Sequence, residues 1–559
     1  MGRKGSQILV DMLVEEGVEI IFGYPGGVVL PLMDVLYDTR SIKFVLTRHE
    51  QGAAHMADGY ARATGKVGVC LATSGPGATN LTTGIATANM DSIPIVAITG
   101  QVRTSLIGND AFQEADTTGI TRPITKHNYL VKDVKDLART IKEAFYIART
   151  GRPGPVLIDV PADVTLGEVE GEPDKQMRLP GYRPRLDGHP RQIRAAAAAL
   201  NEAQRPVIFI GGGIIISGAS DELRTLAETA NVPVTSTLMG LGAFPGDHPL
   251  FLGMLGMHGT PVANYAVTEC DLLFSIGARF DDRVTGKIDA FAPKAKIVHI
   301  DIDPTSISKN IKVDIPVVGD AARILRELIP HVRHAERKPW HDQIAEWRRK
   351  HPLTYNDKSS GYVKPQAVIQ ALCRMVPADT IIATEVGQNQ MWTALWYTFR
   401  KPRTLLTSGG LGTMGYGFPA AIGAQAGCPD RLVIDIAGDG SIQMNIQELA
   451  TAVNYNLPVK VIILNNGYLG MVRQWQELFY GRRYSQVSLA GSPDFVKLAD
   501  AFGATGLRLE DPKEIEAKLE QALKTPGPVL LDVRIEPEEN VFPMVPAGQP
   551  INHMIGALA

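Results

Sequence analysis

Cysteine is scarce in this sequence, and its few copies are scattered. The four among 559 residues, Cys70, Cys270, Cys373 and Cys428, lie far apart with no CxxC or Cys/His spacing, which supports neither a disulfide framework nor a zinc site. A reducing, cytoplasmic setting is the expectation. Long apolar runs are missing as well, so no segment is expected to span a membrane. Nor does charge of one sign dominate: 56 Lys and Arg face 59 Asp and Glu, and a net charge of −3 gives no footprint for nucleic acid. The stretch Met1 to Gly17 reads as an amphipathic helix with charges throughout. It lacks both the apolar centre of a signal peptide and the Arg/Ser-rich, acid-poor character of a transit peptide.

What the chain does have is a repeated alternation of strand-like and helical patterns. Apolar runs at Val67 to Ala72, Ile93 to Ile98, Val156 to Val160, Val207 to Ile210, Leu272 to Ile276, Ile297 to Ile302, Thr380 to Ala383, Arg431 to Ala437 and Val459 to Leu464 are separated by helical stretches. This predicts an α/β protein with doubly wound, mainly parallel sheets. Polar, Pro/Gly/Arg-rich stretches from Gly167 to Pro190 and from about His331 to Lys364 read as linkers. They divide the chain into three domains, 1–180, 190–335 and 362–559.

Two of these runs end on hard oxygen donors. Gly438-Asp439-Gly440 follows one strand and Asn465-Asn466 another, and strands of a parallel sheet deliver such residues to the edge where α/β folds bind ligands. A carboxylate and an amide oxygen make a sparse ligand set suited to Mg²⁺, which completes its octahedron with water and phosphate oxygens. A helix expected from about Ser441 to Asn454 begins beside the glycines, and its free N–H groups can face a diphosphate. Earlier in the chain, Val69 to Gly77, a helix ending near Asn89 and Ile93 to Ile98 repeat the same strand, Gly-turn, helix and strand order without the Asp or the Asn pair. The first and third domains therefore read as duplicates, one carrying the metal anchor and one not.

With these motifs stand Arg48 to Ala53 (RHEQGA), Thr73 to Asn80, Asp110 to Ala115, Leu255 to Thr260, Gly277 to Gly286, Ser408 to Met414 and Asn465 to Val472. Together they resemble the catalytic subunit of the acetohydroxyacid synthase (acetolactate synthase) family, thiamine diphosphate enzymes, over nearly the whole chain.

That resemblance implies a set of roles. Glu50 matches the acid that bonds the cofactor's pyrimidine ring and drives loss of the thiazolium proton, with Gln113 near the reacting carbons. Asp439, Asn466 and the carbonyl of Tyr468 match Mg²⁺ ligands. Thiamine diphosphate contacts fall on Glu50, Val386, Gly387, Gln388, Asn389, Gly412, Met414, Gly438, Asp439, Gly440, Ser441, Asn466, Gly470 and Met471. Met414 matches the residue wedged between the two cofactor rings, and Asn389 stands where relatives often carry His. Arg283 matches the arginine that holds the carboxylate of the second 2-ketoacid, a task that suits a guanidinium. Trp475 matches the aromatic that favours 2-ketobutyrate over pyruvate.

In the middle domain, Gly211, Gly212, Gly213, Thr237, Leu238, Met239, His258, Gly259, Thr260, Gly277, Arg279, Asp301, Asp303 and Asp320 resemble FAD-binding positions. Arg103, where relatives often have Pro or a small residue, departs from the pattern in a channel-lining position. The implied activity decarboxylates pyruvate and transfers the two-carbon unit to pyruvate or 2-ketobutyrate, a step in branched-chain amino acid biosynthesis. The implied assembly is a homodimer or tetramer with sites shared between subunits and a separate small regulatory subunit, and Val541 to Pro546 resembles a segment folding over the site. A pyruvate oxidase-like flavoenzyme, a glyoxylate carboligase and a catalytically silent binding subunit are the rivals. The presence of Glu50 argues against the carboligase, and Glu50, Asp439 and Asn466 together argue against the silent subunit.

Overall fold

The computed structural model describes residues 2–356 and 361–556. Three six-stranded sheets run in sequence along the chain, and every pairing within them is parallel. The first holds β1 (Ile20–Tyr24), β2 (Lys43–Leu46), β3 (Gly68–Ala72), β4 (Ile95–Gln101), β5 (His127–Leu130) and β6 (Val156–Pro161), in the spatial order β2-β1-β3-β4-β6-β5. The second holds β7 (Pro206–Ile210), β8 (Val234–Ser236), β9 (Phe251–Met254), β10 (Leu272–Ile276), β11 (Lys296–Asp301) and β12 (Ile315–Val318), ordered β9-β8-β7-β10-β11-β12. The third holds β13 (Ile381–Thr384), β14 (Leu405–Leu406), β15 (Val433–Gly438), β16 (Lys460–Asn465), β17 (Thr505–Leu509) and β18 (Val529–Arg534), ordered β14-β13-β15-β16-β18-β17.

The first and third sheets thus share one strand order, which agrees with the internal echo in the sequence. The middle sheet has the other doubly wound order, whose switch point between β7 and β10 opens a crevice at the strand ends. Their strands are nearly continuous Val, Ile and Leu because both faces are covered. One hydrophobic core is shared between domains: Phe22, Met56 and Tyr60 of the first pack in the same cluster as Tyr416, Phe418 and Ile442 of the third. At its centre the helix Glu50–Thr64 lies against the helix Gly417–Gly427. Contact is so close that a Cβ on Gly59 would fall 2.1 Å from the Ala420 carbonyl oxygen, and one on Gly423 1.9 Å from that of Met56.

Two expectations fail locally. The stretch from His331 to Lys364 contains the helix Lys338–Lys350, which docks on the middle domain through Trp340 and Ile344 and through a Trp340 Nε1 hydrogen bond to the Pro206 carbonyl (3.1 Å). The helix expected unbroken from Ser441 to Asn454 is instead three pieces, Asp439–Ile442, Ile446–Glu448 and Leu449–Asn454. Asn445 causes the break by donating its side-chain amide to the Gly415 carbonyl at 2.6 Å. The N-terminal helix forms as Gly5–Glu15, preceded by a short antiparallel pair, Arg3–Lys4 with Glu168–Val169. Among the described residues no helix is long and apolar enough to cross a membrane.

Candidate active site

Neighbouring strands β15 and β16 carry Asp439 and Asn466 to the same edge of the third sheet. Asp439 is 1% exposed, burial pushes its carboxyl up to about 7, and among the described residues its Oδ2 has no hydrogen-bond partner. A buried carboxylate oxygen left unmatched is costly unless a cation or donor meets it, so this atom fits a metal ligand. Asn466 is fixed by two contacts: its amide donates to Gln388 Oε1 (3.0 Å), and its oxygen accepts from the Tyr468 N–H (3.0 Å). Gln388 passes the constraint on by donating to Gln474 Oε1 (3.0 Å) and to the Glu539 carbonyl (3.0 Å).

The turn before the helix Gln388–Trp396 is held open by Gly387, whose φ of 149° is strained for any residue with a Cβ. Asn389 donates to the carbonyls of Glu385 (2.9 Å) and Ile436 (2.8 Å), leaving its oxygen facing Gly387 and Gly438. Ser441 closes the Gly438 turn, accepting from the Gly438 N–H at 3.1 Å. A Cβ on Gly470 would lie 2.0 Å from Gln388 Oε1, so only glycine lets this helix start approach the anchor.

Met414 sits on a loop organised from beneath by Glu385. The Glu385 carboxylate accepts from the N–H groups of Gly415 (2.7 Å) and Phe418 (3.0 Å). Burial pushes Glu385 up to about 7 and its neighbour Asp435 well above the usual carboxylate range. The Met414 methyl comes within 3.9 Å of where a Cβ on Gly440 would stand, so the loop meets the anchor turn directly. On the loop's other flank, Asp91 accepts from the Gly409 (3.1 Å) and Gly410 (2.8 Å) N–H groups and is paired with buried Arg62 (2.9 Å).

Glu50 begins the helix Glu50–Thr64 and is 9% exposed. Asn80 donates to its Oε2 at 2.9 Å, and a Cβ on Gly77 would lie 3.3 Å from its Oε1. The echo of the Gly438-Asp439-Gly440 motif, Thr73 to Asn80, therefore cradles Glu50. Among the described residues no hydrogen bond or ion pair joins Glu50 to the Asp439 cluster of the same chain. Gln113 takes a positive φ of 58° and its backbone rests against Gly75, which brings it to the same rim of the first domain as Glu50.

A cavity of about 1430 Å³ runs from the β7–β10 switch point to the third domain. Gly211, Gly212, Thr237, Leu238, Met239, His258, Gly277, Arg279 and Asp303 line it at one end, and Val386, Gly387, Gly412, Met471 and Trp475 at the other. Gly213, Asp301 and Asp320 line an adjoining pocket of about 360 Å³ that shares Gly212, Met239, Gly277 and Arg279. The backbones of the two glycine turns touch: a Cβ on Gly211 would fall 2.2 Å from the Gly277 carbonyl oxygen.

Some residues in this set also hold the fold. Thr237 caps the turn to Gly240 (3.1 Å), Thr260 caps the helix Pro261–Glu269, and Asp320 accepts from the Arg323 N–H (3.1 Å). Gly259 and Thr260 lie off the cavity wall, with Gly259 against the Gly256 backbone. Phe280 adopts a positive φ of 56° and buries its ring among Phe209, Phe291 and His299, while Arg279 and Arg283 on either side line the cavity. The C-terminal strand of chain reaches this wall as well: Val545 donates to the Met257 carbonyl (2.8 Å), and Val541 exchanges two hydrogen bonds with buried Gln474 (2.8 and 3.0 Å).

The sequence match follows the same three parts. Residues 3–120 match the thiamine pyrophosphate enzyme N-terminal TPP binding domain, 193–328 the central domain, and 385–533 the C-terminal TPP binding domain. A probable acetolactate synthase large subunit of Methanocaldococcus jannaschii is 53% identical over 99% of the chain and 95% of its own length. The acetolactate synthase large subunit of Haemophilus influenzae is 48% identical over 99% of the chain and 98% of its own. The isozyme 3 large subunit of Escherichia coli is 48% identical over 98% of each.

Proposed function

Because the chain belongs to the acetolactate synthase large subunits among the thiamine pyrophosphate enzymes, we propose that its buried anchor holds Mg²⁺ and thiamine diphosphate and serves the synthesis of 2-acetolactate and 2-acetohydroxybutyrate. The observation that carries the reading is the unpartnered Oδ2 of buried Asp439 beside Asn466, at an edge walled by glycines. Asp439, Asn466 and the Tyr468 carbonyl bind the metal, and the turns at Gly387 and Gly438 to Ser441 receive the diphosphate. When bound, the cofactor supplies the carbanion chemistry that releases CO₂ from pyruvate and carries two carbons to a second 2-ketoacid.

Glu50 holds and releases the proton at the cofactor's pyrimidine nitrogen, and Gln113 lines the approach of the reacting carbons. Met414, on the loop braced by Glu385 and beside the Gly440 turn, would pack against the bound cofactor. Arg283 takes the carboxylate of the incoming 2-ketoacid, and Trp475 forms an apolar wall against the extra methylene of 2-ketobutyrate. The middle-domain cavity and its adjoining pocket would hold FAD, with the backbones of Gly211, Gly212 and Gly277 open to a pyrophosphate and Asp301 and Asp303 able to accept from ribose hydroxyls. The flavin has no electron to carry in a net carboligation.

Among the described residues no hydrogen bond or ion pair ties Glu50 to its own anchor cluster, which supports a site completed by a second copy. Large apolar side chains stand exposed beside both halves, Phe112 at 88% next to Gln113 and Met444 at 53% next to Gly415. We therefore assign a homodimer as the minimal unit, open to tetramer formation and to a small regulatory subunit, in the cytoplasm. Product analysis from pyruvate plus 2-ketobutyrate with thiamine diphosphate and Mg²⁺ tests the activity. Both acetohydroxyacids are expected, and their absence overturns the reading. Anaerobic mixing with pyruvate separates it from an oxidase: rapid stoichiometric bleaching of bound flavin would reject the synthase.

A further inference from the structure

Arg48 and His49, the two residues just ahead of Glu50, both donate their backbone N–H to one carboxylate, that of Glu448 in the third domain. Arg48 N–H lies 3.0 and 3.1 Å from its two oxygens, and His49 N–H 2.9 Å from Oε1. Thr451 Oγ1 adds a bond to Oε2 at 2.7 Å. Glu448 is fully buried. The Arg48 guanidinium turns away to the carbonyls of Leu46 and Thr47, so the carboxylate is held by peptide donors and a hydroxyl at the start of the Glu50–Thr64 helix. An anion suits that end of a helix. Gly52, in the first turn, leaves the room: a Cβ there would stand 2.6 Å from Glu448 Oε1.

From this geometry we infer that Glu448 is a positioning residue for the catalytic acid, fixing the peptide planes at residues 48 and 49 so that the Glu50 carboxyl is aimed at its cofactor. The inference rests on the reading of Glu50 given above. Two peptide N–H groups clamped by one buried carboxylate leave the first turn of the helix no freedom to rotate. Removing the clamp tilts Glu50 without touching Asn80 or the metal anchor. Glu448 ends the segment that begins at Asp439 and runs through Ile446–Glu448. The piece of chain that carries the metal ligand therefore also sets the acid that serves the neighbouring copy.

The test uses the full chain as Glu50→Gln, Glu448→Gln and Gly52→Ala. Glu448→Gln keeps the volume but places an NH₂ against a peptide donor. Gly52→Ala keeps Glu448 but crowds its carboxylate from the helix side, while adding helix propensity. Two readouts are taken: deuterium exchange at the thiazolium C2 of bound thiamine diphosphate with Mg²⁺, and amide exchange of residues 46–52 in the cofactor-free protein.

Glu50→Gln is expected to abolish C2 exchange. Glu448→Gln and Gly52→Ala are expected to slow it about ten- to hundredfold, with thiamine diphosphate affinity within twofold of wild type and protection lost only around residues 46–52. If Glu50→Gln abolishes exchange while both other variants stay within twofold of wild type, the positioning role is wrong and the acid assignment stands. If Glu50→Gln exchanges at the wild-type rate, both fall.

Discussion

The guanidinium of Arg283 lies over the Trp475 ring, 6.0 Å from its centre, and the two come from different domains that both line the large cavity. Among the described residues the Arg283 guanidinium makes only long polar contacts, 3.8 Å to Met257 Sδ and 3.8 Å to Asp282, and the buried Trp475 indole N–H has no partner. A cation and an unmatched donor side by side on the cavity wall suit a carboxylate with a short apolar tail. Arg283→Ala is expected to raise the KM for the second 2-ketoacid about 10- to 100-fold, the loss of a charge-assisted hydrogen bond, with cofactor binding unchanged. Saturation curves for pyruvate and 2-ketobutyrate check this.

Trp475→Leu is expected to lower the ratio of acetohydroxybutyrate to acetolactate formed from mixed substrates by about tenfold or more, since contact with one methylene is worth about 1–3 kcal/mol. Total turnover with pyruvate alone should change less than the ratio. An unchanged ratio would remove Trp475 from acceptor choice.

Asp439 sets stability against function. Its carboxylate is buried with one oxygen unmatched, so Asp439→Asn is expected to raise the thermal midpoint of the metal-free protein at about pH 8 while weakening Mg²⁺-dependent thiamine diphosphate binding at least about tenfold. Calorimetry without metal and a binding titration with it read the two effects. A lower midpoint without metal would show that the carboxylate is satisfied in a way the geometry does not suggest.

Several buried carboxyls give the fold a pH signature. Asp159, bonded to Thr99 Oγ1 (2.7 Å) and Gln101 Nε2 (2.9 Å), is pushed by burial up to about 7 from an ordinary 3.8, and Glu385 and Glu448 are likewise raised to about 7 from 4.5. The unfolded chain gives up these protons near pH 4 to 4.5, while the folded chain keeps them until about pH 7. Stability from these groups therefore falls as pH rises through that window and levels off above it. The thermal midpoint of the metal-free protein is expected to drop by a few degrees between about pH 5 and 7.5. Asp159→Asn should flatten part of that slope, and an identical slope in the variant would rule Asp159 out.

Gly59→Ala is expected to destabilise the protein by about 1–3 kcal/mol, because the added methyl meets the Ala420 backbone and not a side chain that can swing aside. The loss should appear as a lower midpoint in scanning calorimetry with the sheets' far-ultraviolet signal retained below the transition.

Much of the fold could be read directly because its strands are buried on both faces. Runs such as Val433 to Ala437 have no polar alternation to obscure them, and their ends mark where Gly438-Asp439 must fall. Helix Lys338–Lys350 was hidden by its Arg, Lys and Pro content, although Trp340, Ile344 and Trp347 already trace one face at helical spacing. The break at Asn445 had no local signal, since its cause is a carbonyl thirty residues earlier on another loop. For the site, motif residues near the turns were legible. Their supports Glu385 and Glu448 were not, because each acts through backbone donors supplied by distant chain, some 400 positions away for Glu448. Asn80 closed a recognisable block, but nothing in its spacing tied it to Glu50.

The contact between the helices Glu50–Thr64 and Gly417–Gly427 joins segments separated by most of the chain. During synthesis the first domain emerges with an Ala- and Gly-rich helix face that has nothing to lie against until the third domain leaves the ribosome. The middle domain, with its own core, can settle in the meantime. Chains stopped short of Gly417 would keep that face open and be prone to aggregation, and the completed molecule would fold slowly through long-range closure. Its outer two thirds would then melt as one cooperative body.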